Sequence, residues 1–185
     1  MPDSRLAYNS IRPQDFHFQS KVNSTTGSEI VTVTQAKTFM RVDTTADDSI
    51  IGDMITSARI LCENYLNKDI VAKDRTIYTP YLNDRINLPF APVASITTIT
   101  TEGNTATYEV KGLDNEIIEL NNLPAKEVKI TYVTAGLTGS NFEHAILQLV
   151  STFYDNRSEF KTGTIVSEVP TDIKTVLASE KTPFI

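Results

Sequence analysis

The sequence predicts an α+β fold: a bundle of helices packed on a small antiparallel β unit, with an extended N-terminal arm and a C-terminal tail. Two changes of period carry the prediction. Apolar residues recur at three- and four-residue steps from 50 to 66 and again from 142 to 154, as on one face of a helix. Between 69 and 134 they alternate with polar residues instead, as on strands. A chain of 185 residues can bury one core with an appended arm and is short for two domains.

Residues 1–29 are rich in Ser, Thr, Asn and Gln and read as the arm. Tyr8, Phe16 and Phe18 break its polarity and are candidates for docking on a neighbouring subunit. The domain proper is expected over 30–180, with helices in 34–68, the β unit in 69–134, and helices in 140–180. After the alternating IVTV, Thr34 is placed to cap a short helix, QAKTFMR, which ends before the turn at 43–45. A second helix follows, with Ile50, Ile51, Met54, Ile55, Ala58, Leu61, Cys62, Tyr65 and Leu66 as its apolar face. The single cysteine, Cys62, lies on that face and reads as core packing.

The segments RTIYTPYL, RINLPF, VASITTITT, TATYEV, EIIEL and KEVKITYV are expected strands. Glu102–Gly103–Asn104 and Gly112 supply turns, and Val128, Ile130 and Tyr132 form one face. Pro80, Pro89 and Pro92 belong at strand ends or edges, because proline donates no ladder bond. Ser140 with Glu143 then reads as a capping box ahead of Phe142, Ala145, Ile146, Leu149, Val150, Phe153 and Tyr154, in a helix reaching about Arg157. Pro170 and Thr171 open a short fourth helix, and residues 181–185 form the tail.

Three carboxylates, Asp47, Asp48 and Asp53, gather at the start of the second helix. A calcium loop counted from Asp47 would place Ser49 and Ile51 in ligand slots, and no histidine stands nearby to complete a metal set. Thr45 and Asp48 instead resemble a capping pair at the positive end of the helix dipole. Nucleotide-binding glycine patterns are absent, and neither His17 nor His144 is arranged with Cys62 or a serine as a nucleophile and base. Asp155, Asn156 and Arg157 suit a helix end, with an interfacial role as the alternative. No cofactor and no catalytic or metal residue is expected, so the chain reads as a non-enzyme.

A formal net charge of −6 argues against tight binding of nucleic acid, since phosphate contacts draw on clustered Lys and Arg. No apolar run is long enough to span a membrane, and the first ten residues, MPDSRLAYNS, lack the apolar core of a signal peptide, so a cytoplasmic site of synthesis is expected.

The order of the segments VTVTQAKTFMRVDTTADDSIIGDMITSARILCENYLNKDI, INLPFAPVASITTITT, VKITYVTAG and HAILQLVSTFYDNRSE resembles the head-tail connector family (adaptor, or head-completion) of tailed bacteriophages. The family's short T-x-x-E-A-K helix corresponds to Thr34–Lys37, and its R-V-D turn to Arg41–Asp43. The end of its long helix corresponds to Tyr65–Lys68, its L-P-x-x-P strand entry to Leu88–Ile96, and its late Y-x-N-R helix end to Phe153–Arg157. Gln35 stands where the family often has an acidic or other residue, and the 29-residue leader is longer than in many members. The resemblance covers about residues 30–180. It implies a structural protein of the virion neck, forming a twelve-fold ring below the portal that joins head to tail and extends the DNA channel.

Implied partners are further copies of the chain, the portal protein and the next neck or tail protein, with DNA passing without tight binding. The C-terminal helix and tail would engage the portal through Pro170, Ile173, Val176, Leu177, Thr182, Pro183, Phe184 and Ile185. A tail-completion ring protein is the alternative within the virion. A small hydrolase or binding module is a more distant one, for which the sequence offers no convergent polar residues.

Overall fold

The computed structural model describes residues 18–156, 171–178 and 180–181. Among them are four helices, α1 (Val33–Met40), α2 (Asp48–Leu66), α3 (Ser140–Asp155) and α4 (Thr171–Ala178). The eight strands are β1 (Gln19–Thr25), β2 (Lys73–Leu82), β3 (Ile86–Asn87), β4 (Val93–Thr101), β5 (Asn104–Thr105), β6 (Tyr108–Lys111), β7 (Ile117–Leu120) and β8 (Ala125–Thr134). The α+β architecture expected from the two periods is the one found, with the β unit split into two antiparallel sheets. Five strands run in the order β1-β2-β8-β4-β5, and three in the order β3-β7-β6.

Helices α1 to α4 close around one hydrophobic cluster. Ile51, Met54, Ile55, Ala58, Cys62 and Leu66 of α2 meet Phe142, Ala145, Ile146, Leu149, Val150 and Phe153 of α3, with Ile173 and Leu177 of α4 filling the end. Each set repeats at three or four residues, which is why both helices form and why they present these faces to each other. The two sheets share a second cluster. Ile77 of β2 stands opposite Ile130 of β8, which in turn stands opposite Ile99 of β4. Ile118 and Leu120 of the smaller sheet complete it.

Three differences from the sequence reading have local causes. Residues 19–25, read as part of the arm, form strand β1 on the edge of the larger sheet. All seven of its residues are exposed, so there was no buried face to produce an alternating signal. The first helix is capped by Thr32 and not by Thr34. Thr32 Oγ1 accepts from the Gln35 amide at 3.2 Å, and Gln35 Oε1 accepts from the Thr32 amide at 2.8 Å. Gln35 thereby completes a reciprocal capping box with Thr32. Neither expected cap forms on the longer helices. Asp47 and Gly139 occupy the N-cap positions of α2 and α3 without side-chain cap bonds, and Ser140 is already the first helical residue of α3.

Pro80 lies inside β2, but β1 pairs with β2 only as far as Tyr78, so the missing donor falls beyond the reach of the neighbouring strand. Helices pack on helices and strands on strands. The chain passes between the two halves at 26–32, 67–72 and 135–139.

Candidate assembly surfaces and the buried ionic joint

The three crossings are bonded to one another through the backbone. The Thr26 and Gly27 amides donate to the Ala72 carbonyl at 2.9 and 3.0 Å, and the Leu137 amide donates to the Ile70 carbonyl at 2.9 Å. Two glycines permit this approach. A Cβ on Gly27 would lie 2.9 Å from the Ala72 nitrogen, and one on Gly136, whose φ is +75°, would lie 2.8 Å from the Ile70 carbonyl oxygen.

Around these crossings sits a chain of charges. The exposed rim is Glu29, whose Oε2 accepts from Arg59 Nε at 2.8 Å. Arg59 Nη1 donates to Glu63 Oε2 at 2.8 Å, one turn along α2. The same oxygen receives Lys73 Nζ at 2.5 Å, and Lys73 also reaches Asp69 Oδ1 at 3.0 Å. Arg75 grips Asp69 with Nε and Nη2, both at 2.6 Å. Three acids, Glu29, Glu63 and Asp69, thus balance three bases, Arg59, Lys73 and Arg75. All but Glu29 are buried, and the Asp69 side chain has no exposed surface.

Other polar groups complete the network. Glu63 Oε1 accepts from the Ile70 and Val71 amides at 3.0 and 3.1 Å. The Thr134 hydroxyl donates to Asp69 Oδ2 at 3.0 Å and accepts from the Lys73 amide at 3.0 Å. The Arg75 guanidinium lies 3.6 Å from the centre of the Phe90 ring. Phe90 takes a positive φ of 63°, rare for a bulky residue, and the neighbouring Pro89 carbonyl accepts from the Tyr132 hydroxyl at 2.7 Å. Burial alone would lower the Arg59 pKa, but the hydrogen bond it donates to Glu29 and the charge of Glu63 outweigh it and the net shift is upward. The Arg59 guanidinium therefore keeps its charge within the joint.

Sequence reading missed this joint. Arg59 and Glu63 lie among the apolar positions of α2, and Lys73 and Arg75 share the buried phase of β2 with Ile77 and Thr79. Their i, i+4 spacing on the helix and i, i+2 spacing on the strand were the available signals, but charges in a buried phase are recognisable only once their partners are known.

Two of the three aspartates at the start of α2 make structural contacts, and the three do not gather into a site. Asp47 Oδ2 accepts from the Tyr154 hydroxyl at 2.7 Å, Asp48 pairs with Lys37 at 2.7 Å, and Asp53 is exposed. Among the described residues no three His, Cys, Asp or Glu side chains are grouped to hold a metal ion. Cys62 is fully buried, and burial followed by the nearby Glu63 charge pushes its thiol up to about 12. It packs as the sequence suggested. His144 is exposed, its ring meeting Phe39 edge-on at 6.1 Å. Asn156 Nδ2 donates to the Thr152 carbonyl at 3.0 Å and so finishes α3. Arg157 lies outside the described residues.

Of the candidate portal-binding residues, Ile173 and Leu177 are buried in the helical cluster and Val176 is half-buried, while Pro170, Thr182, Pro183, Phe184 and Ile185 lie outside the described residues. Of the arm aromatics, Phe18 packs against the sheet cluster, and Tyr8 and Phe16 lie outside. Free surface is conspicuous elsewhere: Leu113, at the tip between β6 and β7, is fully exposed, and Ile60 on α2 is 44% exposed.

Three solved structures share this fold. Chains in the neck of an empty GTA particle computed with C6 symmetry and in the virion of a native gene transfer agent (GTA) particle each superpose with a TM-score of 0.69, at 16% and 14% identity. Both alignments cover 90% of this chain and 97% of the other. A chain in the neck of a native GTA particle computed with C12 symmetry gives 0.60 at 16% identity, covering 88% and 97%. No curated protein matches the sequence. The model of the head completion protein family matches residues 29–179, spanning both halves and the joint between them, and the chain belongs to that family.

Proposed function

We propose that this protein is a structural adaptor of a tailed-phage-like virion, copies of which close into a ring at the neck, below the portal, joining head to tail and extending the DNA channel. The observation that carries the reading is the family match over 29–179. The similarity of nearly the whole fold to neck chains supports it, and the C12 symmetry used for one of those necks supports twelve copies. The charge supports it as well: a subunit of net charge −6 repels DNA, which suits a conduit that DNA slides through without adhering.

Under this reading, α4 and residues 182–185 face the portal, with Ile173 and Leu177 fastening that element to the helical layer. The segment bearing Tyr8 and Phe16 reaches a neighbouring copy from the Phe18 end of β1. The sheet loops are left for a neighbour or for the next neck or tail protein.

Electron microscopy of the purified protein mixed with portal tests the assignment. A ring coaxial with the portal is the expected result, and its absence from particle necks would reject it. Deleting Thr182–Ile185 is expected to weaken portal association with an unchanged circular dichroism spectrum; unaltered association would remove the tail from the contact.

A further inference from the structure

We propose that the buried ionic joint is an orientation lock, which holds the helical half and the sheet half at one angle and so sets the number of copies that close a ring. The second clause rests on the adaptor reading; the first does not.

Among the described residues the helical and sheet clusters are separate, and no helix packs along a strand. An apolar contact between such halves would tolerate sliding, since the hydrophobic effect has no direction. The charges do not tolerate it. Glu63 on α2 binds the 67–72 crossing through two amides and β2 through Lys73. Asp69 on the crossing binds β2 through Arg75 and β8 through Thr134. A rotation of one half against the other breaks several of these bonds together and leaves ions buried without partners, so intermediate angles are excluded. The backbone bonds among the crossings and the close approaches at Gly27 and Gly136 reinforce a single geometry.

A ring closes when the turn from copy to copy divides the circle. Around about twelve copies, adding or removing one changes that turn by only roughly 2° to 3°. Where the contacts to two neighbours fall on different halves, the angle at the joint enters every turn, and looseness there spreads the copy number.

The test removes one buried pair without changing net charge, in the double variant Asp69→Leu with Arg75→Met. Amide exchange is followed at Ile70, Val71 and Leu137 in the joint, and at Ile146 and Ile130 in the two cores. Copy number is counted by electron microscopy of rings formed with portal. The lock predicts joint amides exchanging at least about tenfold faster, core amides unchanged, and rings of mixed size or open arcs where the parent chain forms one size.

Core amides accelerating by the same factor as joint amides would overturn the proposal, because the halves would then be one cooperative unit. Slow joint amides would overturn it too, as would a single ring size despite loosened joint amides. Should the double variant not fold, Arg75→Lys keeps the charge and loses the two-pronged grip. It is expected to accelerate the joint amides about threefold, and no change there overturns the lock. A parent chain that forms no ring defeats the adaptor reading, while the exchange measurements still decide whether the joint is a lock.

Discussion

Leu149 and Ile130 are both fully buried, yet they sit in interiors built in different ways. Around Leu149 four helices close on one apolar cluster, with Arg59 and Glu63 the buried charges that α2 contributes to the joint. Around Ile130 two sheets share a core, and the strands carry threonines on their outer sides, as where Thr76 and Thr131 hydroxyls meet across β2 and β8 at 3.0 Å. The larger sheet also ends in an edge, β1, that buries none of its residues. The helical half is thus closed and the sheet half open at its rim, and the difference places the structural anchor in one and free backbone edge in the other. What joins them is polar: the buried charges together with the backbone hydrogen bonds among the crossings.

The sharpest way to break this comparison is to damage each interior separately. Leu149→Ala and Ile130→Ala should each cost about 2–5 kcal/mol, from lost transfer energy and the cavity left behind. Measured by denaturant unfolding, the double variant should cost the sum of the two within about 0.5 kcal/mol, since separate clusters share no partners. A strong departure from additivity would mean that the interiors communicate and that the division is wrong.

Alkaline titration sharpens the comparison, because each half carries a buried acid of its own. Cys62 in the helical layer is pushed up to about 12 by burial and then by Glu63. Tyr132 in the sheet is raised by burial, with Arg75 opposing and Asp69 adding. Both are held neutral in the fold while the unfolded chain releases its protons first, so the unfolded state binds fewer protons as pH rises. The stability from these groups is full below the ordinary values of 9.0 and 10.0, and is lost above them at about 1.4 kcal/mol per pH unit per group. Unfolding free energy should therefore fall from about pH 9, and Cys62→Ala should delay the onset to about pH 10. An onset unmoved by that substitution would show that the thiol is not held neutral.

How much of this could be read beforehand follows from what each half buries. The faces of α2 and α3 were legible because burial there writes a period of 3.6 into apolar residues, and β8 was legible through Val128, Ile130 and Tyr132. The caps at Thr45 and Ser140 were misread because a suitable residue and spacing do not fix where the backbone turns. Strand β1 was illegible because it buries nothing. Two of the five motif segments carrying the family resemblance meet beside the joint: Asn67 closes α2 in the left-handed conformation, Lys68 bridges to Phe90, and Phe90 lies under Arg75. The resemblance therefore marked the joint's surroundings without revealing its charges. Asp69 meets Lys73 four residues on and Arg75 six residues on, but its bond to Thr134 spans 65 positions, and no local pattern encodes that contact.

The smallest expected effect on the free chain bears most directly on which half meets the outside. Leu113 stands on the β6–β7 tip with nothing around it, following Gly112, whose φ of +95° makes the turn. Ile60 is exposed on the outer side of α2. Leu113→Ser should leave unfolding free energy within about 0.5 kcal/mol of the parent, because that side chain has no packed environment to lose, and Ile60→Ser, more than half covered, should cost about 1 kcal/mol. In assembly they should part company. If the open half carries contacts to the distal partner, Leu113→Ser weakens capture of tail-side protein by neck complexes and leaves portal binding intact, as a fully exposed leucine gains most from entering a partner's pocket. Ile60→Ser, on the closed half, should leave tail-side capture unchanged. The reverse pattern would put the distal contact on the helices, and the contrast between an anchoring half and an open half would then have to be redrawn.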